Sequence, residues 1–387
     1  MKKKVAHFIR KSTQLKASFI QNQILHHINY TPSIIYKYRT EKGDGGFAEF
    51  NNEDINILNL DNNPSIVSKL KYKLFKLITQ KDEKRIADFT KNSDILHFHY
   101  GTDAGIYLPL LKHINKPKVI SFYGYDCFGF PKMFLGYGKT YLIKRVFKLA
   151  DVVFVMSPEM KKDLLSLGCP AQKIKVHYHG SDVQIFKIDR VYLKKNEINF
   201  LIISGLQPEK GHLLLIEAFH KAFNNDPSKT LNIVGEGPCK EKILNKIIRK
   251  GINNITLNKK VIYKSKEHLN YLNKADVFIH PSIITKEDKE GIPGAIVEAM
   301  ASGLPVISTC IGGIPFIIQN MKTGILVKER NINALSNAMV KLANNTELRT
   351  KLGKNGQNYA TNNLDLKIKE KELENIYQSL IKTQFQN

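Results

Sequence analysis

The richest chemistry by residue type and spacing lies in Glu290-Gly291-Ile292-Pro293-Gly294-Ala295-Ile296-Val297-Glu298-Ala299-Met300-Ala301-Ser302-Gly303-Leu304-Pro305-Val306. Pro293 suits the first turn of a helix, where no N–H is needed, and Gly303 suits the cap at its other end. The first turn, through Gly294, Ala295 and Ile296, then offers unpaired N–H groups and a positive dipole end, a seat for phosphate. Gly294 has no side chain to block close approach. Glu290 falls on the loop before the helix and Glu298 inside it. One carboxylate can reach beyond a phosphate while the other accepts from the hydroxyls of a ribose. A helix-start charge and a solvated helical face would explain each glutamate alone, but not the pattern around them.

A second segment, Leu201-Ile202-Ile203-Ser204-Gly205-Leu206-Gln207-Pro208-Glu209-Lys210-Gly211, runs from an apolar strand through a turn into a helix start. It places the Lys210 ammonium to meet a diphosphate. Ile233-Val234-Gly235-Glu236-Gly237-Pro238 is a strand followed by a glycine turn. It is half of a dinucleotide fingerprint. Gly235 either lines a nucleotide pocket or serves the turn alone. In the first half of the chain, Asp94-Ile95-Leu96-His97-Phe98-His99 and Val119-Ile120-Ser121-Phe122-Tyr123-Gly124-Tyr125-Asp126 both read as strands with polar tips. Alternation puts His97 on the face of His99 but deeper, as a core histidine; His99 and Asp126 are open to either reading.

Positioning these tips requires many strands. Val5–Ile9, Ile95–His99, Val119–Phe122, Val152–Met156, Phe200–Ser204, Leu231–Val234, Val277–His280 and Val306–Thr309 are short, apolar and β-rich. Amphipathic segments alternate with them, such as Leu215, Phe219, Ala222 and Phe223 after Gly211. That alternation predicts α/β architecture with parallel sheets covered on both faces. The number of strands predicts two doubly wound, Rossmann-like domains facing a cleft, with chemistry at the carboxyl ends of the strands. The polar stretch from Asp182 to Asn199 divides them. Residues 1–183 form the first domain and 184–363 the second, and a last helical pattern over 364–387 packs back toward the first.

Bulk properties narrow the class. Four scattered cysteines form no C-x-x-C pair, which points away from zinc or disulfide frameworks and toward a reducing compartment. The opening Met1-Lys2-Lys3-Lys4 precedes too short an apolar run for a signal peptide and reads as the lead-in to a buried strand. No stretch approaches a membrane span, so a cytoplasmic protein is expected. The charge of +24, from 59 basic and 35 acidic residues, suits an anionic substrate or an anionic membrane surface. Nucleic acid is not expected, because no recognised binding motif is present.

Taken together, these residues resemble the retaining family-4 glycosyltransferases of the GT-B fold, in their polysaccharide-building branch. The likeness covers nearly the whole chain. The family's E-x7-E motif falls on Glu290 and Glu298, and its G-R-L-x-x-x-K-G loop on Ser204 through Gly211. Asp276-Val277-Phe278-Ile279-His280-Pro281-Ser282 and Gly312-Gly313-Ile314-Pro315 also fit. The resemblance implies that Lys210 binds the diphosphate of a UDP- or GDP-sugar, that Glu298 holds the ribose, and that Glu290 meets the transferred sugar near its anomeric centre. It implies retention of configuration and no metal or other cofactor. The sequence departs from the pattern at Gly205, where the family has a diphosphate-binding arginine; Lys264 and Lys286 are candidate substitutes. It departs again at Tyr123, where many relatives have a cleft histidine, which leaves Asp126 or His99 to supply the polar role, or no protein base at all. Segment 10–20, with Ser18, resembles the family's polar loop on the acceptor side. His179, with Gly180, is a further acceptor contact or plain hinge structure.

The expected function is transfer of a sugar to a glycan or lipid-linked acceptor. The rival is a catalytically silent subunit of the same fold that binds nucleotide or glycan. Ile66, Val67, Leu70, Leu74, Leu77 and Ile78 share a helical face flanked by Lys69, Lys71, Lys73 and Lys76, and 137–148 repeats the theme. Each fits either a peripheral membrane contact at an anionic interface or ordinary packing on the sheet.

Overall fold

The computed structural model describes residues 2–38, 55–61, 80–286 and 288–384. The chain divides into two compact units, Met1–Gly180 with Leu366–Asn387, and Ser181–Asp365.

The first unit holds a seven-stranded parallel sheet in the order β3-β2-β1-β4-β5-β6-β7. Its strands are β1 (Lys3–Lys11), β2 (Tyr30–Tyr38), β3 (Asn56–Asn59), β4 (Ile95–His99), β5 (Lys118–Phe122), β6 (Val152–Val155) and β7 (Ile174–Val176). β4, β5 and β6 are buried at every position, as strands covered on both faces must be. Helix α1 (Ser18–Leu25) follows the first strand.

The second unit holds a six-stranded parallel sheet in the order β10-β9-β8-β11-β12-β13. Its strands are β8 (Ile198–Ile203), β9 (Lys229–Val234), β10 (Ile255–Asn258), β11 (Val277–His280), β12 (Val306–Thr309) and β13 (Ile325–Val327). Helices α2 (His212–Phe223) and α3 (Gly294–Ala301) flank it. Phe200, Phe219, Leu215, Ile233, Ile279 and Met339 share its core. Each such buried side chain contributes roughly 1.5–3 kcal/mol before the opposing entropy.

Both sheets reverse their winding direction once, between β1 and β4 and between β8 and β11. Such reversals open a crevice at the carboxyl ends of the strands, and the candidate residues lie there.

The polar stretch 182–199 is anchored to the second unit rather than hanging between elements. Arg190 donates to the carbonyls of Ser302, Ala275 and Leu272, and the Tyr192 hydroxyl donates to Gly303 O at 2.6 Å. These bonds satisfy carbonyls left unpaired at the end of α3 (Ser302, Gly303) and at the end of helix Lys266–Lys274 (Leu272, Ala275). Helix α4 (Leu366–Gln384) belongs to the first unit. Leu373, Tyr377 and Ile381 pack on Val5, Ile95, Val119 and Val152. Leu366 is also buried and Ile376 and Leu380 pack against this core, whereas Ile368 is exposed and Glu370 and Glu374 are buried among the apolar positions.

The basic amphipathic run 66–78 lies outside the described residues. Within 137–148, helix Met133–Leu142 continues into a wider turn over Ile143–Phe147. Val146 and Phe147 are buried, whereas Leu135, Tyr137 and Ile143 are exposed. Among the described residues no helix is long and apolar enough to cross a membrane.

Candidate functional site

In the second unit, the loops after β8, β11 and β12 interlock. Gly211 adopts φ +71, and a Cβ there would sit 2.1 Å from the Pro281 carbonyl oxygen. Only glycine accommodates both demands, so the Lys210 loop is fastened to the loop after β11. Ile283 N donates to Glu209 O at 2.8 Å across the same contact. Gly312, at φ +54, packs against the Glu290 carbonyl just as closely, and Gly313 N donates to Gly291 O.

The fastening brings Lys210 and Glu290 together across 80 residues of sequence. Lys210 Nζ donates to Glu290 Oε1 at 2.8 Å and to Oε2 at 2.6 Å. Ser282 Oγ donates to Oε2 at 2.8 Å, and His280 Nε2 lies 3.5 Å away. Burial works to raise the Glu290 carboxyl, but the Lys210 ammonium and His280 outweigh it and hold the group well below the usual carboxylate range. Burial likewise works to lower Lys210, and the Glu290 carboxylate overrides it. Both side chains are therefore charged, and the ammonium faces its own carboxylate. Ser282 and His280 join the expected Lys210 and Glu290. Their sequence signal was present in the His280-Pro281-Ser282 strand end, but not their partner.

Helix α3 begins one residue later than expected: Pro293 is its extended N-cap and Gly294 its first residue. Ile296 N donates back to Pro293 O at 3.1 Å and the Ile296 side chain is buried. Ile296 therefore drops out as a ligand, leaving the N–H groups of Gly294 and Ala295 at the helix end. Glu298 is buried rather than solvated. Its carboxyl lies beside Gly294, where a Cβ would stand 3.5 Å from Oε1, and His268 Nε2 is 3.5 Å from Oε2. Burial pushes the Glu298 carboxyl up to about 7, against a weaker pull from Lys264; burial pushes His268 down to about 4.

A stability effect follows. A carboxyl raised from an ordinary 4.5 to about 7 binds its proton more tightly folded than unfolded. Stability relative to a non-titrating residue is therefore present below pH 4.5 and is lost as pH rises to about 7. Glu298→Gln is expected to be more stable than the parent chain at pH 8, by up to ~3 kcal/mol, with a much smaller difference at pH 4.5. Urea midpoints at the two pH values check this; an equal difference at both would contradict it.

Of the glycines, Gly235 packs against the Ser204 carbonyl, 2.0 Å from where a Cβ would be, so close backbone approach accounts for it. At Gly205 the space a side chain would take holds the Gln207 amide, 2.1 Å away. Of the candidate substitutes for the arginine, Lys264 is paired with Asp182 at 3.0 Å, and Lys286 is exposed on the loop after β11.

In the first unit, the structure corrects two expectations. Asp126 is fully buried, and its carboxylate accepts from the backbone N–H groups of Gly101, Tyr123 and Gly124 at 2.9–3.1 Å. Burial raises the carboxyl to about 6 against those donors. It joins the ends of β4 and β5 rather than presenting an acid or base. His99 is also fully buried, with Nδ1 on the Tyr123 hydroxyl at 2.7 Å and Nε2 on His7 Nδ1 at 3.0 Å, so it makes no direct contact with an acceptor. His97 is equally buried, between the Tyr377 hydroxyl and Ser121 Oγ. Tyr123 is half-buried and packs against Phe19 and Tyr100. His179 stacks on Phe19 at 5.5 Å, and its Nδ1 bonds the Gly180 carbonyl. Ser18 is the half-buried first residue of α1. The side chains brought together at this end are therefore Phe19, Tyr100, Tyr123 and His179. Phe19, the second residue of α1, and Tyr100, just past β4, were missed because a single aromatic carries no functional signal of its own.

Comparison with known proteins supplies a context. The family model described as Glycosyl transferases group 1 matches residues 184–359, and that described as Glycosyltransferase Family 4 matches residues 45–185. The amylovoran biosynthesis glycosyltransferase AmsK of Erwinia amylovora is 28% identical over 66% of this chain and 62% of its own length. The putative colanic acid biosynthesis glycosyltransferase WcaL of Salmonella typhimurium is 30% identical over 63% of this chain and 60% of its own. Each match thus spans about three fifths of the curated relative. Among solved structures, Anabaena Alr3699/HepE in complex with UDP superposes with a TM-score of 0.78 at 17% identity, covering 98% of this chain and 100% of that one. That likeness is one of fold.

Proposed function

The chain belongs to the family-4 glycosyltransferases, with two parallel-sheet units of the GT-B fold, and from that premise we propose that it transfers a sugar from a UDP- or GDP-sugar to a glycan or lipid-linked acceptor, with retention and without a metal, in cell-surface polysaccharide synthesis. The observation that carries the proposal is the Lys210–Glu290 pair, buttressed by Ser282 and set beside a helix end that holds Glu298. The relatives named for amylovoran and colanic acid synthesis, and the UDP held by HepE, support the same reading.

In this reading the donor diphosphate draws the Lys210 ammonium away from Glu290 and takes the N–H groups of Gly294 and Ala295. Glu298 accepts from the ribose hydroxyls. The Glu290 carboxylate, released from its counter-ion, stands against the positive charge that develops on the sugar as the bond to the diphosphate breaks. Fixed charges aimed at developing charge lower the barrier without reorganisation. The cations and helix amides stabilise the leaving diphosphate, so no divalent ion is required. The Phe19–Tyr100–Tyr123–His179 cluster receives the acceptor. The exposed Leu135, Tyr137 and Ile143, beside Lys139, Lys144 and Arg145, meet an anionic lipid surface at the cytoplasmic face.

One assay tests these statements: labelled UDP-, GDP- and ADP-sugars offered with a lipid extract, with and without EDTA and vesicles of anionic phospholipid. One donor is expected to be consumed, with its anomeric configuration kept, unaffected by EDTA and faster on anionic vesicles. Inversion, EDTA sensitivity or indifference to vesicles would each overturn the corresponding statement. Donor binding with neither transfer nor hydrolysis would favour the silent subunit.

A further inference from the structure

Three strands of the first unit and both ends of its chain meet in a buried file made of one ion pair and three hydrogen bonds. Glu370 on α4 touches His27 Nδ1 at 2.5 Å. His27 Nε2 faces His7 Nε2 at 2.9 Å, His7 Nδ1 faces His99 Nε2 at 3.0 Å, and His99 Nδ1 faces the Tyr123 hydroxyl at 2.7 Å. The imidazoles of His7 and His99 are fully buried and that of His27 is 1% exposed. Tyr123, at the far end, is half-buried. We infer that this file is a proton relay, in which one proton at His27 sets the direction of every bond and makes Tyr123 a hydrogen-bond donor toward a bound oxygen.

The direction follows from what each group can do. A carboxylate only accepts, so His27 Nδ1 carries a hydrogen. A neutral imidazole has one donor and one acceptor, so a choice at one ring fixes the next. With His27 cationic, its Nε2–H donates to His7 Nε2. His7 then holds its hydrogen on Nδ1 and donates to His99 Nε2, and His99 donates from Nδ1 to the Tyr123 oxygen. The Tyr123 hydrogen is left to point elsewhere; among the described residues Gln23 Oε1 lies at a long 3.4 Å, and the Ser121 hydroxyl is also within its reach. With His27 neutral, all three bonds reverse and the Tyr123 hydrogen turns inward to His99. Passing one proton along the file breaks N–H bonds at His27, His7 and His99 and forms N–H bonds at His7 and His99 and an O–H bond at Tyr123. Against a neutral hydroxyl the file stops at the outward hydrogen bond; only an anionic bound oxygen takes the original Tyr123 hydrogen as a proton.

His27 is faced by Glu370, Glu374 and Tyr377 from α4, Tyr30 from β2 and His7 from β1. Burial opposes its charge, but Glu370 and then Glu374 overcome that and raise it to about 9. Burial works to raise Glu374, but His27 and the Asn29 and Ile28 N–H groups outweigh it and hold the carboxyl at about 2. His7 is kept well below its ordinary value by burial and then by His27, and His99 is kept at about 3 by the same two causes. At neutral pH the file is therefore in its outward state. The alternative use of His7, His97 and His99 is a shared metal ion, for which they lie close enough. Against it, the facing nitrogens of His7 and His99 already bond each other, and both nitrogens of His97 are engaged by Tyr377 and Ser121.

Placing an acceptor oxygen against Tyr123 rests on the function proposed above; the proton order itself does not. Nitrogen-15 spectra of the histidine rings in the full chain at pH 7 should show His27 with both nitrogens protonated and His7 and His99 as Nδ1–H tautomers. As pH rises through about 9, both should switch to Nε2–H together while His27 loses a proton. An Nε2–H tautomer of either ring at pH 7, a neutral His27, or displacement of both facing resonances by Zn2+ added alone would overturn the relay. In the transfer assay, Tyr123→Phe should raise the acceptor KM on the order of tenfold and leave the donor KM unchanged. An unchanged acceptor KM with the expected spectra would overturn the role of Tyr123 at the acceptor and leave the proton order standing.

Discussion

Glu290→Gln should reduce transfer on the order of 10²–10³-fold while leaving nucleoside diphosphate binding as tight as before or up to about tenfold tighter. The two halves of this result have one cause. Glu290 holds the Lys210 ammonium with both oxygens in the donor-free protein, so a diphosphate must compete with the protein's own carboxylate. Glutamine keeps the shape and removes the competitor. It also removes the only full negative charge the reading places against the developing charge on the sugar. The free variant should be less stable, because a mostly buried ammonium loses its partner. Removing one member of a fully buried pair costs about 3–5 kcal/mol, and the 19% and 10% exposure of these two side chains places the cost below that. UDP should then raise the melting temperature of the variant more than that of the parent chain. Thermal unfolding with and without UDP, beside turnover, checks both halves; transfer at the parent rate would sink the role of Glu290.

Lys210→Ala is the complementary case and the larger loss of binding. A hydrogen bond to a charged group contributes about 1.5–3 kcal/mol, and the alanine variant also leaves Glu290 as an unpaired carboxylate facing the diphosphate. Affinity for the donor and for the bare nucleoside diphosphate should fall together, on the order of 10²-fold or more. The double variant Lys210→Ala, Glu290→Gln should bind better than Lys210→Ala alone, since the repulsion is gone. Titration of the three variants closes a double-mutant cycle; additive losses would show that the pair does not act as a unit.

The sequence showed the inner part of each sheet more clearly than its rim. β1, β4, β5, β6, β8, β9, β11 and β12 are apolar runs because both of their faces are covered. β3, β7, β10 and β13 lie at or toward the edges and are three or four residues long, too short for a period to register. β2 was hidden by Pro32 and Ser33 within Tyr30–Tyr38. The Glu290–Glu298 segment was legible because one helix, with a proline before it and a glycine at φ +75 after it, carries most of the motif.

What stayed illegible was pairing across the chain. Nothing in Lys210 or Glu290 alone says that they neutralise each other. Asp126 has the look of a catalytic acid until its three backbone donors are seen. The spacing of His97 and His99 predicted a shared face, yet the file they border is completed by His27 in a loop and by Glu370 almost 350 residues later. On α4 the apolar spacing found Leu366 and Leu373, but Glu370 and Glu374, buried on the same side, run against that periodicity and carried no signal.

The central claim, that the loops after β8 and β11 and the start of α3 form a nucleotide-sugar site, is tested most directly by isothermal titration of the full chain with UDP, GDP and ADP in turn. The account predicts saturable binding of one of them at one site, weakened on the order of 10²-fold by Lys210→Ala and retained or strengthened by Glu290→Gln. Binding of none of the three, or binding that Lys210→Ala leaves unchanged, would contradict it.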